Sequence, residues 1–265
     1  MSARRRFERI FAAHARGRCA LIPYITAGDP SLQASEAIAL ELAAAGAAII
    51  ELGVPFSDPV ADGPVIQAAS ERALARGVTL ADVLELARRL RPQTDAGLLL
   101  FSYYNPILRF GLERFALQAA AVGCDGVLVT DLIPEESEPY RSVMQAAGLD
   151  TIFLAAPTSP DARLASIARA STGFVYAVSR LGVTGAREQV SAGAASLVAR
   201  LRRHTDLPIA LGFGLAHAAQ IQAVAEFADA AVVGTALVAA IACAPAPEAA
   251  AAAGDFLRSL DGHHR

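Results

Sequence analysis

Three carboxylates, Glu51, Asp58 and Asp62, lie within the stretch ELGVPFSDPVADGP, which contains no basic residue. A carboxyl group in apolar surroundings has its pKa raised towards neutrality, and such a group can donate and accept protons near pH 7. A solvated acidic loop is less apolar than this stretch, and a packed core does not hold three acids. The stretch therefore predicts a site for proton transfer, and its three acids need not share one role.

Glu51 is distinguished from the other two acids by its position at the end of a predicted strand. Side chains alternate along the run AAIIEL, which divides them between two faces, with Ala47, Ile49 and Glu51 on one and Ala48, Ile50 and Leu52 on the other. The first face is typical of a barrel interior and the second of packing under helices. The predicted strands contain no basic residue that could pair with Glu51, which favours a general acid or base over a structural ion pair.

Asp58 and Asp62 follow in loop sequence. Asp58 precedes Pro59, and this dipeptide is typical of a turn. Asp62 precedes Gly63 and Pro64, a pattern typical of a turn followed by a helix start. Asp62 could therefore cap that helix or contact a substrate from above Glu51, and the spacing leaves both interpretations open.

Apolar runs alternate with amphipathic stretches along the whole chain. The predicted strands cover 19–25, 47–52, 97–101, 125–130, 150–154, 173–178, 208–211 and 229–233. The predicted helices cover 31–45, 79–91, 111–122, 135–147, 160–170, 192–204 and 217–227, with another before the first strand and one near 248–260. Such alternation predicts an α/β fold with a parallel sheet. Eight units predict a (β/α)₈ TIM barrel, a single domain over 1–265 with an extra N-terminal helix, and no glycine-rich dinucleotide-binding turn favours the rival open sheet.

Glycine-containing stretches follow the last three predicted strands, at the end of a barrel where active sites lie. They are SRLGVTGA (179–186), GFGLA (212–216) and VVGTA (232–236). Glycine lets the backbone approach an anion closely, and helix N-termini favour negative charge. The last two stretches therefore predict a phosphate site. The segment 180–190 is predicted to be a mobile lid, in which Arg180 is either a phosphate ligand or a solvated loop residue.

Aromatic residues also lie at or near the predicted strand ends and suggest an apolar pocket, although each alone is more often part of a core. They are Tyr24, Phe101, Tyr176 and Phe213, with Tyr103, Tyr104 and Asn105 at the end of the third strand. The five histidines lie in helices or the tail, which disfavours a histidine base or a zinc site.

Composition excludes several function classes. The net charge of −3 and the absence of a long basic block disfavour nucleic acid and anionic membranes as partners. Three scattered cysteines predict reduced thiols in a cytoplasmic protein. The uncharged run 230–247 contains a glycine and two prolines and predicts a buried strand and a short helix rather than a membrane span.

The motifs PYITAGDP, ELGVPFSDPVADGPVIQ, YYNPI, SRLGVTGA, GFG and VVGTA occur in this order over about residues 20 to 240. In motifs and spacing the chain resembles the tryptophan synthase alpha chain family. The resemblance implies a (β/α)₈ barrel lyase of L-tryptophan biosynthesis that cleaves indole-3-glycerol phosphate to indole and glyceraldehyde 3-phosphate. It also implies a partner, the beta chain, in an assembly of two alpha and two beta chains.

The resemblance further implies roles for individual residues. Glu51 would be the acid/base and Asp62 would hold the indole N–H, while the loops of Asp58 and Asn105 would face the beta chain. The indole pocket would be lined by Tyr24, Phe101, Tyr176 and Phe213, and the phosphate and glycerol end by Thr184, Gly185, Gly214, Gly234 and Thr235. Thr235 stands where the family usually has serine and keeps the hydroxyl. The stretch DLIPEE departs from the family's usual Asp-Leu-Pro or Asp-Val-Pro, which leaves the loop path after Asp131 open.

The absence of lysine bears on the implied retro-aldol mechanism, because all 23 basic residues are arginine. A Schiff-base lysine cannot serve as electron sink, and no metal-ligand cluster appears. Protonation of indole C3 would make the substrate its own sink, with Glu51 moving protons and Asp62 facing the ring nitrogen. No cofactor is expected in this chain, and pyridoxal phosphate is expected in the beta partner.

Three alternatives are weighed against this prediction. The chain could be a stand-alone indole-releasing lyase with the same residues, or a non-catalytic subunit that activates the beta chain. Intact Glu51 and Asp62 disfavour the second. Another barrel enzyme acting on a triose-like phosphate would share the phosphate loops but lack the ELGVPFSDPVADGP stretch.

Overall fold

The computed structural model describes residues 5–14, 19–178, 192–212 and 214–260. Apolar, largely buried runs form the strands β1 Ala20–Thr26, β2 Ile49–Gly53, β3 Gly97–Ser102, β4 Gly126–Val129, β5 Asp150–Ile152, β6 Leu154–Ala155, β7 Val175–Val178, β8 Ile209–Gly212 and β9 Ala230–Val233. The strand pairs are parallel, in the order β5-β4-β3-β2-β1-β9-β8-β7-β6. Only Phe153 separates β5 from β6, so the order closes on itself. The predicted eight-stranded barrel is confirmed, with its fifth strand divided at Phe153.

Helices surround the sheet and connect its strands. They are α1 Arg6–Ala13, α2 Leu32–Ala44, α3 Pro64–Ala75, α4 Leu80–Leu90, α5 Tyr104–Phe110, α6 Leu112–Ala121, α7 Glu138–Ala146, α8 Asp161–Ala170, α9 Ala192–Leu201, α10 Ala218–Ala225, α11 Thr235–Cys243 and α12 Ala249–Leu260. Short 3₁₀ turns lie at Arg91–Gln93, Pro134–Glu136 and Ala246–Glu248. The predicted N-terminal helix is present as α1. The turn at Pro134–Glu136 explains why α7 begins later than predicted.

Helix α5 was not predicted, because Tyr-Tyr-Asn-Pro has the composition of a turn. Pro106 lies in the first turn of α5, where a backbone N–H has no partner within the helix and its absence costs little. The first backbone N–H of the helix, that of Tyr104, donates to the Asp131 carboxylate at 2.8 Å. Asp131 therefore anchors the loop after β4 to the start of α5, a loop whose path was left open by the sequence.

Side chains of the sheet pack in two layers. The barrel interior holds Ile49 with apolar residues of the other strands, and the layer between sheet and helices holds Ile50 and Leu52, as predicted. The prediction for Ala47 and Ala48 was wrong, since Ala48 belongs to the interior and Ala47 to the outer layer. Both residues precede β2, which begins at Ile49, so strand alternation does not extend to them.

Phe7 of α1 closes the N-terminal end of the barrel. Its side chain is fully buried among the interior residues. A Cβ atom at Gly97, Gly126 or Gly173 would lie 2.7 Å from the Phe7 ring, closer than real contacts allow. These three positions therefore make room for the ring by having no side chain. Nearby, Arg5 donates to the Asp150 carboxylate at 2.5 Å and fixes the start of α1.

Within the described parts of the chain, no helix combines the length and apolar character needed to cross a membrane. The uncharged run 230–247 forms β9, α11 and the beginning of a 3₁₀ turn. This agrees with the predicted strand and short helix.

Candidate functional site

Glu51 lies at the C-terminal end of β2, above Ile49 on the interior face of the barrel. It is 1% exposed. Neither carboxylate oxygen has a hydrogen-bond partner among the described residues. Burial raises the pKa of Glu51 well above its usual range. A protonated carboxyl group that has no hydrogen-bond partner can donate its proton to a molecule bound in the adjacent cavity.

Two tyrosines face this carboxyl group from neighbouring and opposite strands. Tyr24 on β1 is in register with Glu51, and its ring packs edge-on against Phe101 with centroids 5.2 Å apart. Tyr176 lies on β7. Burial raises the pKa of both phenols, and the nearby carboxyl groups of Asp62 and Glu51, when ionised, raise each further. Both therefore stay neutral and contribute an aromatic wall with hydroxyl groups rather than charge.

Glycines at the ends of β2 and β8 make room for these tyrosines. A Cβ atom at Gly53 would overlap the hydroxyl and ring of Tyr24, and one at Gly212 would lie 2.5 Å from the Tyr176 hydroxyl oxygen. The two rings occupy space that a side chain at Gly53 or Gly212 would otherwise fill. The strand-end glycines thus shape the cavity from beneath.

Asp62 is held by a tyrosine that follows β3. The Tyr103 hydroxyl donates to Asp62 Oδ2 at 3.0 Å and accepts from the Ala61 N–H at 2.9 Å. The Gln67 amide of α3 donates to the carbonyl oxygens of Asp62 at 2.9 Å and of Pro59 at 3.3 Å. Burial raises the pKa of Asp62, and the Tyr103 hydrogen bond lowers it in part. The Asp62 carboxylate is not the cap of α3, whose N-cap is Gly63 without a side-chain bond.

Asp58 and Asn105 lie away from these groups. Both are exposed, and the Ser57 hydroxyl donates to Asp58 at 2.5 Å. Neither lines the cavity around Glu51. Exposed apolar side chains lie close to each in sequence, with Val60 86% and Leu108 51% exposed.

The cavity at this end of the barrel has a volume of about 420 Å³. Eight of the predicted site residues line it, namely Tyr24, Glu51, Asp62, Phe101, Tyr176, Gly214, Gly234 and Thr235. Thr184, Gly185, Phe213 and Arg180 lie outside the described residues, as does the segment 180–190. Tyr103, Tyr104 and Asn105 do not line the cavity, because Tyr103 lies behind Asp62 and the other two belong to α5.

Further lining residues come from loops and helices that gave no clear signal in the sequence. They include Ile66, Thr130, Leu132, Ile133, Pro134, Phe153, Ser159, Arg163 and Ile167. Arg163 of α8 is the only basic residue among the described lining residues, and it pairs with Glu135 at 3.4 Å. Neighbouring positions in the cavity are distant in sequence, and only the stretch DLIPEE, with its proline after Ile133, marked one of these loops as irregular.

A helix N-terminus also forms part of the cavity wall. Helix α11 begins at Thr235 with Gly234 as its N-cap, and both residues line the cavity. Gly214, with φ of 73°, lines the same cavity, and this positive φ favours glycine. A helix N-terminus with glycine beside it can bind a phosphate through backbone N–H groups. No group of three or more metal-ligating side chains occurs among the described residues.

Comparison with known proteins agrees with this geometry. A family model described as tryptophan synthase alpha chain matches residues 11–258. The tryptophan synthase alpha chain of Solibacter usitatus is 53% identical over 83% of both chains, and that of a Picosynechococcus strain is 48% identical over 96% of both.

Solved structures of tryptophan synthase superpose closely on this fold. One from Mycobacterium tuberculosis has a TM-score of 0.88 at 38% identity and covers 98% of this chain and 99% of its own. One of the α2β2 complex from Pyrococcus furiosus has a TM-score of 0.87 at 39% identity, covering 92% and 98%. With a barrel, a buried acid and a matching sequence in agreement, the chain belongs to the tryptophan synthase alpha chain family and is a lyase of tryptophan biosynthesis.

Proposed function

We propose that the chain cleaves indole-3-glycerol phosphate by retro-aldol chemistry to indole and glyceraldehyde 3-phosphate. The observation that carries this proposal is the buried carboxyl group of Glu51, which has no hydrogen-bond partner among the described residues, in a cavity with an aromatic wall. An aromatic wall suits an indole ring. The N-terminus of α11, whose Gly234 and Thr235 line the cavity, suits a phosphate.

In this proposal Glu51 moves two protons. Its protonated form gives a proton to indole C3, which makes the ring an electron-accepting iminium ion. The bond between C3 and the adjacent glycerol carbon then breaks, and its electrons restore the aromatic ring. The hydroxyl group on that carbon becomes the aldehyde carbonyl and returns its proton to the Glu51 carboxylate. Atoms and charge balance, and Glu51 ends in its starting state.

Asp62 has an electrostatic role in the same scheme. Positive charge develops at the ring nitrogen when C3 is protonated, and a carboxylate that accepts the ring N–H stabilises that charge. Asp62 lines the cavity and keeps one oxygen free of the Tyr103 hydroxyl. The phosphate would be bound by Gly214, Gly234 and Thr235, together with Thr184 and Gly185 of the segment outside the described residues.

We further propose that the chain forms a single domain over 1–265, acts in the cytoplasm and binds a beta chain in an assembly of two alpha and two beta chains. The α2β2 complex named for the Pyrococcus furiosus relative supports such an assembly. The exposed Val60 and Leu108, near Asp58 and Asn105, provide apolar surface for it. Pyridoxal phosphate would belong to the beta chain, since this chain has no lysine for a Schiff base.

The test is indole release by wild-type chain and by Glu51→Gln, each with and without a beta chain. Glu51→Gln keeps the shape of the side chain but carries no titrating proton, so we expect indole release to disappear. Binding of an unreactive analogue that lacks the hydroxyl group on the carbon next to indole C3 should persist. Glu85→Gln, on the outer surface of α4 beside Arg88, is the matched control and should keep the wild-type rate.

The outcomes separate the alternatives. Substantial turnover by Glu51→Gln would remove Glu51 from the mechanism. A rate unaffected by the beta chain would indicate a stand-alone indole-releasing lyase. Activation of the beta chain by a wild type that releases no indole itself would indicate a non-catalytic subunit.

A further inference from the structure

We propose that Tyr103 is a positioning residue for Asp62, whose carboxylate it holds ionised and turned towards the substrate by donating its hydroxyl proton to Oδ2. This inference rests on the proposed function, because it assigns Asp62 to the ring nitrogen of the indole. Tyr103 itself does not line the cavity, whereas Asp62 does. Tyr103 therefore acts through Asp62 and has no contact of its own with the substrate.

The direction of the hydrogen bond follows from the neighbours of the hydroxyl. A phenol hydroxyl has one proton to donate and lone pairs to accept with. The Ala61 N–H can only donate, and it lies 2.9 Å from the Tyr103 oxygen. The Tyr103 proton is therefore free for Asp62 Oδ2 at 3.0 Å. Adjacent residues of one loop thus bind the same hydroxyl, one as donor and one as acceptor.

The Tyr103 ring is itself fixed. It is buried, and it packs against the Phe56 ring with centroids 4.9 Å apart and planes inclined by 30°. Its backbone directly follows β3 and forms the N-cap of α5. The hydroxyl thus ties the loop carrying Asp62 to a strand of the barrel. A carboxylate bound in this way presents its second oxygen in one direction.

The electrostatic consequence concerns the protonation state of Asp62. Burial raises the pKa of Asp62, and the Tyr103 hydrogen bond acts against that rise. Among the described residues, the other titratable groups near Asp62 are Tyr24 and Tyr176, whose pKa values its charge helps to raise, and Glu51 and Arg163, which line the same cavity. Arg163 is the one cation of this set, and it is paired with Glu135. Without the Tyr103 hydroxyl, the pKa of Asp62 would rise further, and Asp62 would take up a proton at higher pH.

The test compares Tyr103→Phe with Tyr140→Phe in the full chain with a beta chain present. Tyr140 is a matched control, because its buried hydroxyl donates to the Val127 carbonyl at 3.1 Å and lies outside the cavity. We expect Tyr103→Phe to lower kcat about tenfold to a hundredfold, as for loss of a hydrogen bond to a charged group. The acidic limb of its pH–rate profile should move to higher pH. Tyr140→Phe should lower thermal stability and leave both kinetic readouts unchanged.

A double-variant cycle distinguishes positioning from general damage. If Tyr103 acts through Asp62, then Tyr103→Phe with Asp62→Asn should be no slower than Asp62→Asn alone. Additive losses, or an acidic limb that does not move, would overturn the inference. If Tyr103→Phe is too unstable for kinetics, its affinity for the unreactive analogue can be measured against pH instead. The acidic limb of that binding profile should show the same move to higher pH. Wild type that releases no indole contradicts the proposed function, whereas active wild type with Tyr103→Phe behaving like Tyr140→Phe contradicts only this inference.

Discussion

Carboxylates at the two ends of the barrel have different partners. At the N-terminal end, Asp125 accepts hydrogen bonds from Arg6 at 3.1 Å and from Arg91 at 3.2 Å, and Asp150 accepts one from Arg5. At the C-terminal end, the carboxyl groups of Glu51 and Asp62 contact no arginine among the described residues. Within the described chain, charge pairing is thus present at Asp125 and Asp150 and absent at the two carboxyl groups of the cavity, whereas buried Asp29, in the loop after β1 and outside the cavity, is paired with Arg72 at 2.7 Å.

The difference separates stability from reactivity. Burial raises the pKa of Asp125, and the guanidinium groups of Arg6 and Arg91 act against that rise. The Arg6 hydrogen bond also helps to hold α1 against the sheet. A buried carboxyl group without a cation destabilises the fold when it ionises, but it keeps a proton that it can transfer near neutral pH. Division of this kind is expected of a barrel, in which the loops at the C-terminal ends of the strands carry the chemistry. This division is tested by comparing substitutions at the two ends.

The largest contrast is expected between Asp62→Asn and Asp125→Asn. Asp62→Asn removes the negative charge near the indole nitrogen, and we expect a loss of roughly 10²–10³-fold in indole release with little loss of stability. Asp125→Asn leaves two arginines without their anion, and we expect a loss of about 1–3 kcal/mol in the free energy of unfolding. Its rate per folded molecule should remain that of wild type.

Steady-state kinetics and denaturant unfolding on the same preparations measure both quantities. Equal losses of activity in the two variants would show that the ends are not separate. A wild-type rate for Asp62→Asn would remove Asp62 from the mechanism.

A second effect, on stability alone, is expected from Phe7→Ala. Phe7 fills the N-terminal end of the barrel, and its removal leaves a cavity that Gly97, Gly126 and Gly173 cannot fill. We expect a loss of about 3–5 kcal/mol in unfolding free energy and an unchanged kcat at a temperature where the variant is folded. Phe11→Ala, at a partly exposed ring beside Phe174, is the control and should cost less. A larger fall in kcat than in stability would contradict a purely structural role for this end.

The sequence predicted the C-terminal end of the barrel better than the N-terminal end, for a physical reason. Glu51 could be placed because alternation within one strand depends only on neighbouring residues, and Ala47 and Ala48 were misplaced because the strand begins after them. The contact of Phe7 with three glycines joins segments far apart in the chain. No local pattern encodes such a contact.

Two residues of the site illustrate the same limit. The link between Tyr103 and Asp62 spans 41 positions, and Arg163 reaches the cavity from a helix. The residue types alone favoured ordinary roles for both, since a tyrosine after a strand is usually core and an arginine on a helix is usually solvated. The role of Asp62 was undecided by spacing and was suggested only by family resemblance.

The last expected effect is on the pH dependence of stability, and it sharpens the comparison at Glu51. Burial raises the pKa of Glu51 in the folded state, whereas the unfolded chain has the ordinary glutamate value. Below that ordinary value both states hold the proton, and wild type and Glu51→Gln should differ little. Between the ordinary and the raised pKa only the unfolded state loses its proton, so wild type loses about 1.4 kcal/mol for each pH unit relative to Glu51→Gln. Above the raised pKa both states are ionised, and the difference stays constant.

Unfolding of wild type and Glu51→Gln in urea at a series of pH values measures this difference. We expect Glu51→Gln to be the more stable protein at neutral and alkaline pH and to lose that advantage as the pH falls towards the ordinary glutamate pKa. Asp150→Asn is the opposite control, because Asp150 is paired with Arg5 and hydrogen-bonded to Thr172, and its replacement should destabilise at neutral pH. A stability difference for Glu51→Gln that does not change with pH would show that Glu51 is ionised in the folded protein. In that case Glu51 could not donate the proton that cleavage needs, and the contrast between the carboxyl groups at the two ends of the barrel would be lost.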